Sequence, residues 1–339
     1  MEALLSSEVI QGPATLISKK ILSELMQYRR FQKKEDICGD VTCKKCINNF
    51  LVKILAAVEK NEPITVVLPA FPGKSPNPEK VLGPLPDQAE MQSLFFLSKL
   101  SQRIQKIYNP GMKVIICSDG RVFSDVVGMI EENVTAYQSE LKDLIREMDL
   151  TNFSTFNLDD HFQNINFHEM RESLMQSYSE PLENLQLKIR NGAKETSSPE
   201  EQEASRMYCG ITRFLFEDSL FKGQIQSKTS LQKSARIRAY EVIRRSNAWS
   251  ALIANRFPSA IRLSIHPQSC GSKKLGIRLI ANESWMTPWH GVAVKTKTGF
   301  RLMKRFEAEA LGAQLIKDSR GRPSYFSLET EQVLSERSV

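Results

Sequence analysis

The sequence predicts an α/β fold: a mostly parallel sheet with flanking helices and a β-rich C-terminal portion. Two observations carry this. The runs Ile64-Thr65-Val66-Val67-Leu68 and Lys113-Val114-Ile115-Ile116-Cys117 are short, β-branched and almost wholly apolar, as strands buried on both faces are. Between and around them lie longer segments whose apolar residues recur at helical spacing.

Taken in order, residues 13–33 read as a helix, with Leu16, Ile17, Ile21, Leu25 and Phe31 among Lys and Arg. Cys46, Ile47, Phe50, Leu51, Ile54, Leu55 and Val58 make 43–61 a second amphipathic helix. Pro63 opens the first strand, which ends in a Pro- and Gly-rich loop from Pro69 to Pro86. A helix over 87–108, the second strand, a turn-rich loop and a helix over 133–148 lead to Phe153–Leu158, a third strand. Right-handed crossovers are expected between these parallel strands. Residues 192–205 read as a polar mobile loop or insertion, followed by helices over about 203–222 and 231–256. Ala260–Ile265, Leu275–Ile280, Gly291–Lys295 and Phe300–Met303 are strand candidates separated by Gly, Pro and Ser. The expected division is an N-terminal helical segment (1–62) packed on the core, a main domain (63–327) and a tail (328–339).

The chain of 339 residues is 41% hydrophobic and 25% charged, enough apolar material for a core without disulfides. A net charge of +7 fits a nucleic-acid surface or a pocket collecting a phosphorylated small molecule, and scattered basic helices are usually solvated faces. With no apolar stretch of ~18 residues and no basic start with an apolar run, neither a membrane span nor a secretory signal is expected. Six sparse cysteines, Cys117 among them inside a strand, read as free thiols in a reducing cytoplasm.

In an open α/β sheet, ligands bind beyond the carboxyl ends of the strands. Three loops there carry charge. The first presents Lys74 among Pro69, Pro72, Pro76 and Pro78, a stiff loop suited to an anion site. The second carries Asp119 and Arg121 around Gly120, which permits a tight turn and close approach. Arg121 can grip a phosphate or carboxylate with two parallel hydrogen bonds, or simply pair with Asp119. The third holds Asp159 and Asp160. Asp87 with Glu90 opens a helix as a capping box, and a carboxylate there can also hold an ammonium group. In Arg262-Leu263-Ser264-Ile265-His266, alternation puts Arg262, Ser264 and His266 on one strand face. Lys273 and Lys274 precede another strand, and His290 sits in an aromatic turn; histidine is the usual proton carrier near neutral pH.

Cys38-x4-Cys43-x2-Cys46 matches the opening of an iron–sulfur ligand set. A fourth cysteine would have to come from the sheet or far beyond, Cys46 falls on an apolar helix face, and no second pair completes a zinc spacing. No metal is therefore expected. Dinucleotide, Walker and nucleophile-elbow motifs are absent.

The blocks FPGKSPNP, VLGPLPD-x-AE, IYNPGMKVIICSDGRVFSDVVG, RLSIHP and TPWHG, in that order, resemble the signatures of the pyoverdine/dityrosine biosynthesis family, whose members include isonitrile synthases. The resemblance spans roughly residues 63 to 305. It implies a Rossmann-like core and a reaction without redox cofactor or metal. An aromatic L-amino acid, tyrosine before tryptophan, would gain an isonitrile carbon from the ketone of ribulose 5-phosphate. Carried onto this chain, the motif residues are Lys74, Asp87, Glu90, Asp119, Arg121, Arg262, His266, Lys274 and His290. Lys74, Asp119, Glu90, His266 and His290 are the expected catalytic groups. Arg121, Arg262, Lys274, Asp87 and Ser264 are the expected substrate and phosphate ligands. One departure is Gly73, where many relatives would carry a bulkier residue. The resemblance further implies a cytoplasmic enzyme of secondary metabolism with no nucleic-acid or membrane partner, and an oxygenase acting on its product. Alternatives are an enzyme forming N-formyl-tyrosine, as in the dityrosine branch, and a non-catalytic basic binding module.

Overall fold

In the computed structural model, the described residues are 12–30, 43–280 and 286–328. Cys38 and the tail expected beyond Leu328 lie outside them. Five strands form a parallel sheet: β1 (Ile64–Pro69), β2 (Met112–Cys117), β3 (Phe153–Phe156), β4 (Ile261–Ser264) and β5 (Lys274–Gly276). Their order is β3-β2-β1-β4-β5. The chain thus winds outward from β1 on one side, then returns to add β4 and β5 on the other. That direction reverses between β1 and β4, the position at whose carboxyl edge sheets of this kind bind ligands.

Alternation along each strand assigns the two faces. Val66, Leu68, Val114 and Ile116 pack with Ile21, Leu25, Ile54, Leu94, Leu97 and Leu141. Those partners come from α1 (Pro13–Met26), α3 (Val52–Glu59), α4 (Gln88–Ile107) and α6 (Glu131–Glu147). Val67, Ile115, Cys117 and Phe156 face the other way, onto Met170, Leu174, Trp249 and Leu252. These belong to α7 (Phe167–Tyr178) and α10 (Lys228–Arg256). Continuous apolar runs were the mark of this two-sided burial.

A second sheet, β7-β6-β9-β8, forms from β6 (Val292–Thr296), β7 (Gly299–Met303), β8 (Gln314–Lys317) and β9 (Pro323–Ser327). It packs Ala293 and Leu302 against Ala89 at the start of α4. The short helix α11 (Arg305–Ala310) lies between β7 and β8. No helix of the described residues is long and apolar enough to cross a membrane.

Several elements differ from expectation. The loop after β2 is largely a helix, α5 (Gly120–Val127), begun at Asp119 and stopped by Gly128 at φ +83°. The helix from 43 is interrupted: α2 (Lys44–Cys46) passes through a π turn, Ile47–Leu51, before α3. The first helix ends at Met26, because Arg29 leaves it to bridge Ile277 beside β5. The polar stretch from 192 shortens, since Ser198 caps α9 (Pro199–Asp218) with Glu201 in a capping box. Two helices, α7 and α8 (Leu182–Asn191), fill 167–191, where no element is expected from the sequence.

Candidate active site at the carboxyl edge of the sheet

Lys74 leaves β1 on a loop whose backbone is forced into shape. Phe71 has φ 59° and Gly73 φ +130°, a region that favours glycine, so the departure at position 73 has a conformational reason. Ser118 Oγ donates to Phe71 O at 2.7 Å. A Cβ on Gly120 would stand 1.8 Å from Pro72 O. The close approach expected at Gly120 is therefore to the first loop. The other end of the loop is tied down as Ser75 N donates to Trp289 O at 2.9 Å.

This framework buries Lys74 against the N-terminus of α4. Its Nζ lies 2.8 Å from Asp87 Oδ2 and 2.7 Å from Glu90 Oε2, and donates to Pro288 O at 3.1 Å. Asp87 and Glu90 also complete the capping box, through Ala89 N to Asp87 Oδ1 and Asp87 N to Glu90 Oε2. Both readings of the pair hold, and the ammonium they grip is the protein's own. Tyr137 from α6 donates to Glu90 Oε1 at 3.1 Å. Burial works against the charge on Lys74, but Asp87 and Glu90 more than offset it and raise its pKa. Burial pushes Asp87 up to about 7, against the pull of Lys74.

Beyond β2 and β4 a second set of charges converges. Asp119 is half-buried with its Oδ1 shielded from solvent, and this desolvation pushes its pKa up to about 7, with its own backbone amide and Arg262 opposing. Its Oδ1 has no hydrogen-bond partner, nor does Arg262 Nε; Arg262 Nη1 donates to Ser250 O at 2.9 Å. Burial lowers the pKa of Arg262, Asp119 and Cys117 working the other way. Lys274 is lowered by burial and by Arg262, while Glu203 from α9 raises it. His266 is lowered by burial, then by Arg30 and Lys274. His290 is pushed down to about 4 by burial, with Lys80, His266 and Lys74 adding and Asp218 opposing. His290 Nδ1 shares a hydrogen bond with Thr287 Oγ1 at 2.9 Å. These mutual fields place Lys74, Asp119, Arg262, His266, Lys274 and His290 around one edge of the sheet. Surface cavities of about 340 and 390 Å³ flank the Lys74 loop but are lined by neither Asp119 nor Arg262, so they are not that centre.

Two expected ligands also make contacts within the protein, and Arg121 Nε is left without a hydrogen-bond partner. Arg121 turns away toward α6 and α7: Nη2 donates to Thr135 Oγ1 at 2.8 Å, Nη1 lies 3.5 Å from Glu131, and the guanidinium stacks on Phe167 at 3.6 Å. Arg171 reinforces this by pairing with Glu131 and donating to Arg121 O at 2.7 Å. The helix beginning at Gly120 sets this direction. Ser264 Oγ accepts from His266 N at 3.1 Å and shapes the turn that presents the histidine. Residues that sequence reasoning passed over are Tyr137, Thr287, Asp218 and Glu203. Tyr137 comes from the helix expected over 133–148, and Asp218 joins Ser75 and Lys80 from a helix 138 or more residues away.

Among the described residues one group of metal-type donors gathers, Cys43, Cys46 and Cys270, the last of them on the loop that runs from His266 to Lys274.

Residues 54–316 match the family described as pyoverdine/dityrosine biosynthesis protein. The chain belongs to that family. It is 45% identical to an L-tyrosine isonitrile synthase of Pseudomonas aeruginosa, covering 91% of this chain and 93% of the relative. It is 42% identical to an L-tryptophan isonitrile synthase of Fischerella ambigua, covering 95% and 94%. The crystal structure of the PvcA protein from Pseudomonas aeruginosa superposes with a TM-score of 0.84 at 44% identity, over 92% of this chain and 99% of that one. The α/β architecture is that of this relative, and the chain is an enzyme of the isonitrile synthase type.

Proposed function

We propose that this enzyme converts the amino group of an aromatic L-amino acid, tyrosine in preference to tryptophan, into an isonitrile, with ribulose 5-phosphate supplying the carbon. The observation that carries the chemistry is Asp119, half-buried near Arg262 with a solvent-shielded oxygen left without a hydrogen-bond partner. Burying such an oxygen without a partner costs about 1–3 kcal/mol, which a substrate hydrogen bond would recover. Arg262 and Lys274 are the cations for the sugar phosphate. The amine condenses with the ketone carbon and water leaves; C–H and C–C bonds then break and phosphate departs. Those steps need proton carriers. Asp119, pushed up to about 7, is suited to accept and return a proton near neutrality. His290, pushed down to about 4, enters as a neutral imidazole. Lys74, Asp87 and Glu90 hold the wall of the site and its field, Arg121 holds α5, and an oxygenase consumes the product in the same cytoplasmic pathway.

Incubation with tyrosine or tryptophan plus ribulose 5-phosphate, followed by mass analysis, tests this. The expected result is a product carrying one extra carbon, formed faster from tyrosine, with the infrared band of an isonitrile. A formamide band instead would assign the N-formyl reaction, and no carbon gain with either amino acid would refute the proposal.

A further inference from the structure

We propose that Cys43, Cys46 and Cys270 form a zinc site that staples the N-terminal helices to the loop between β4 and β5. The three sulfurs lie within 4.8 Å of one another, and the Cys43 and Cys270 sulfurs are 3.5 Å apart across 227 residues of chain. Tetrahedral zinc with Zn–S bonds of ~2.3 Å needs sulfurs ~3.8 Å apart, so small adjustments complete the set. Two linked backbone features aim the sulfurs. Cys43 is the N-cap of α2 and its carbonyl accepts from both Cys46 N and Ile47 N, which brings the two Cys-x-x-Cys sulfurs to one side. Cys270 is followed by Gly271 at φ +79°, which turns the chain away beneath Lys45.

The surroundings are built in the manner of ligand-supporting contacts. Arg29 Nη1 donates to Cys46 Sγ at 3.1 Å, while its Nη2 donates to Ser269 O at 3.3 Å. Asn49 Nδ2 donates to Gly271 O at 2.7 Å. Three thiolates on a dication leave one negative charge, which the Arg29 guanidinium balances. Soft sulfur donors in a tetrahedral arrangement favour zinc over oxygen-seeking cations. The fourth position falls to water. Because the loop runs from His266 to Lys274, the metal would also hold the spacing of those two active-edge side chains.

The test uses untagged protein purified without chelator. Elemental analysis is expected to find about one zinc per chain, lost in C43S, C46S and C270S but kept in C209S, whose cysteine is exposed on α9. If the serine variants do not fold, titrating wild-type protein with a mercurial reagent should release zinc in step with modification of these three cysteines, mapped by mass spectrometry. Folded wild-type protein that contains no zinc and takes none up under reducing conditions overturns the proposal. So does iron with acid-labile sulfide in its place, or equal zinc loss in C209S.

Discussion

Lys74 Nζ sits 2.7 Å from Glu90 Oε2 in a pocket where neither side chain reaches solvent. A buried cation so close to two carboxylates is a structural commitment as much as a catalytic resource. Removing one member of such a set leaves the rest buried and uncompensated, at a cost of about 3–5 kcal/mol. Lys74→Met is therefore expected to abolish product formation and to lower the melting temperature markedly. Lys74→Met combined with Glu90→Gln should recover part of the stability and none of the activity. Thermal unfolding and product assays on the two variants check this, and undiminished stability of Lys74→Met would contradict the geometry.

Asp119 titrates near 7 because burial outweighs Arg262. With Asp119 as the proposed base, kcat/KM is expected to rise as pH climbs through about 7. Asp119→Asn should lower kcat/KM by about 10²–10⁴ and flatten that limb of the profile. An unchanged profile in the variant would remove Asp119 from the proton chemistry.

Arg121 holds α5 to α6 and α7 through Thr135, Glu131 and Phe167. Arg121→Ala should reduce stability by about 1–3 kcal/mol while leaving KM for the sugar phosphate at the wild-type value. Urea unfolding and steady-state kinetics separate the two effects. A large rise in KM at full stability would restore a direct phosphate contact.

His290 has its pKa moved down from 6.5 to about 4 by burial, so the folded state prefers the neutral ring. A group depressed in this way contributes stability that is present above its unfolded pKa and lost as pH falls through the folded value. The window is thus pH 6.5 down to about 4. Across it the protein should lose up to roughly 3 kcal/mol from this residue. His290→Gln should lose less over the same interval, measured by denaturant unfolding at stepped pH.

What the sequence determined by itself was whatever a few neighbouring residues can encode. The apolar runs at 64–68 and 113–117 announced strands buried on both faces, and Asp87 with Glu90 announced a helix start. Charged loops after those strands marked the candidate edge, because side chains next to a strand end must emerge there. Helix α5 is amphipathic but spans only eight residues after a Ser-Asp-Gly turn signal, and the four-residue, largely exposed strand β8 leaves no buried run to read. Tertiary structure alone decided the pairings. Lys74 meets Pro288 across 214 residues, Cys43 meets Cys270 across 227, and Arg121 reaches Thr135 on α6. Such contacts follow from strand order and burial, which set where distant segments meet and which charges must be satisfied inside; no local pattern specifies them.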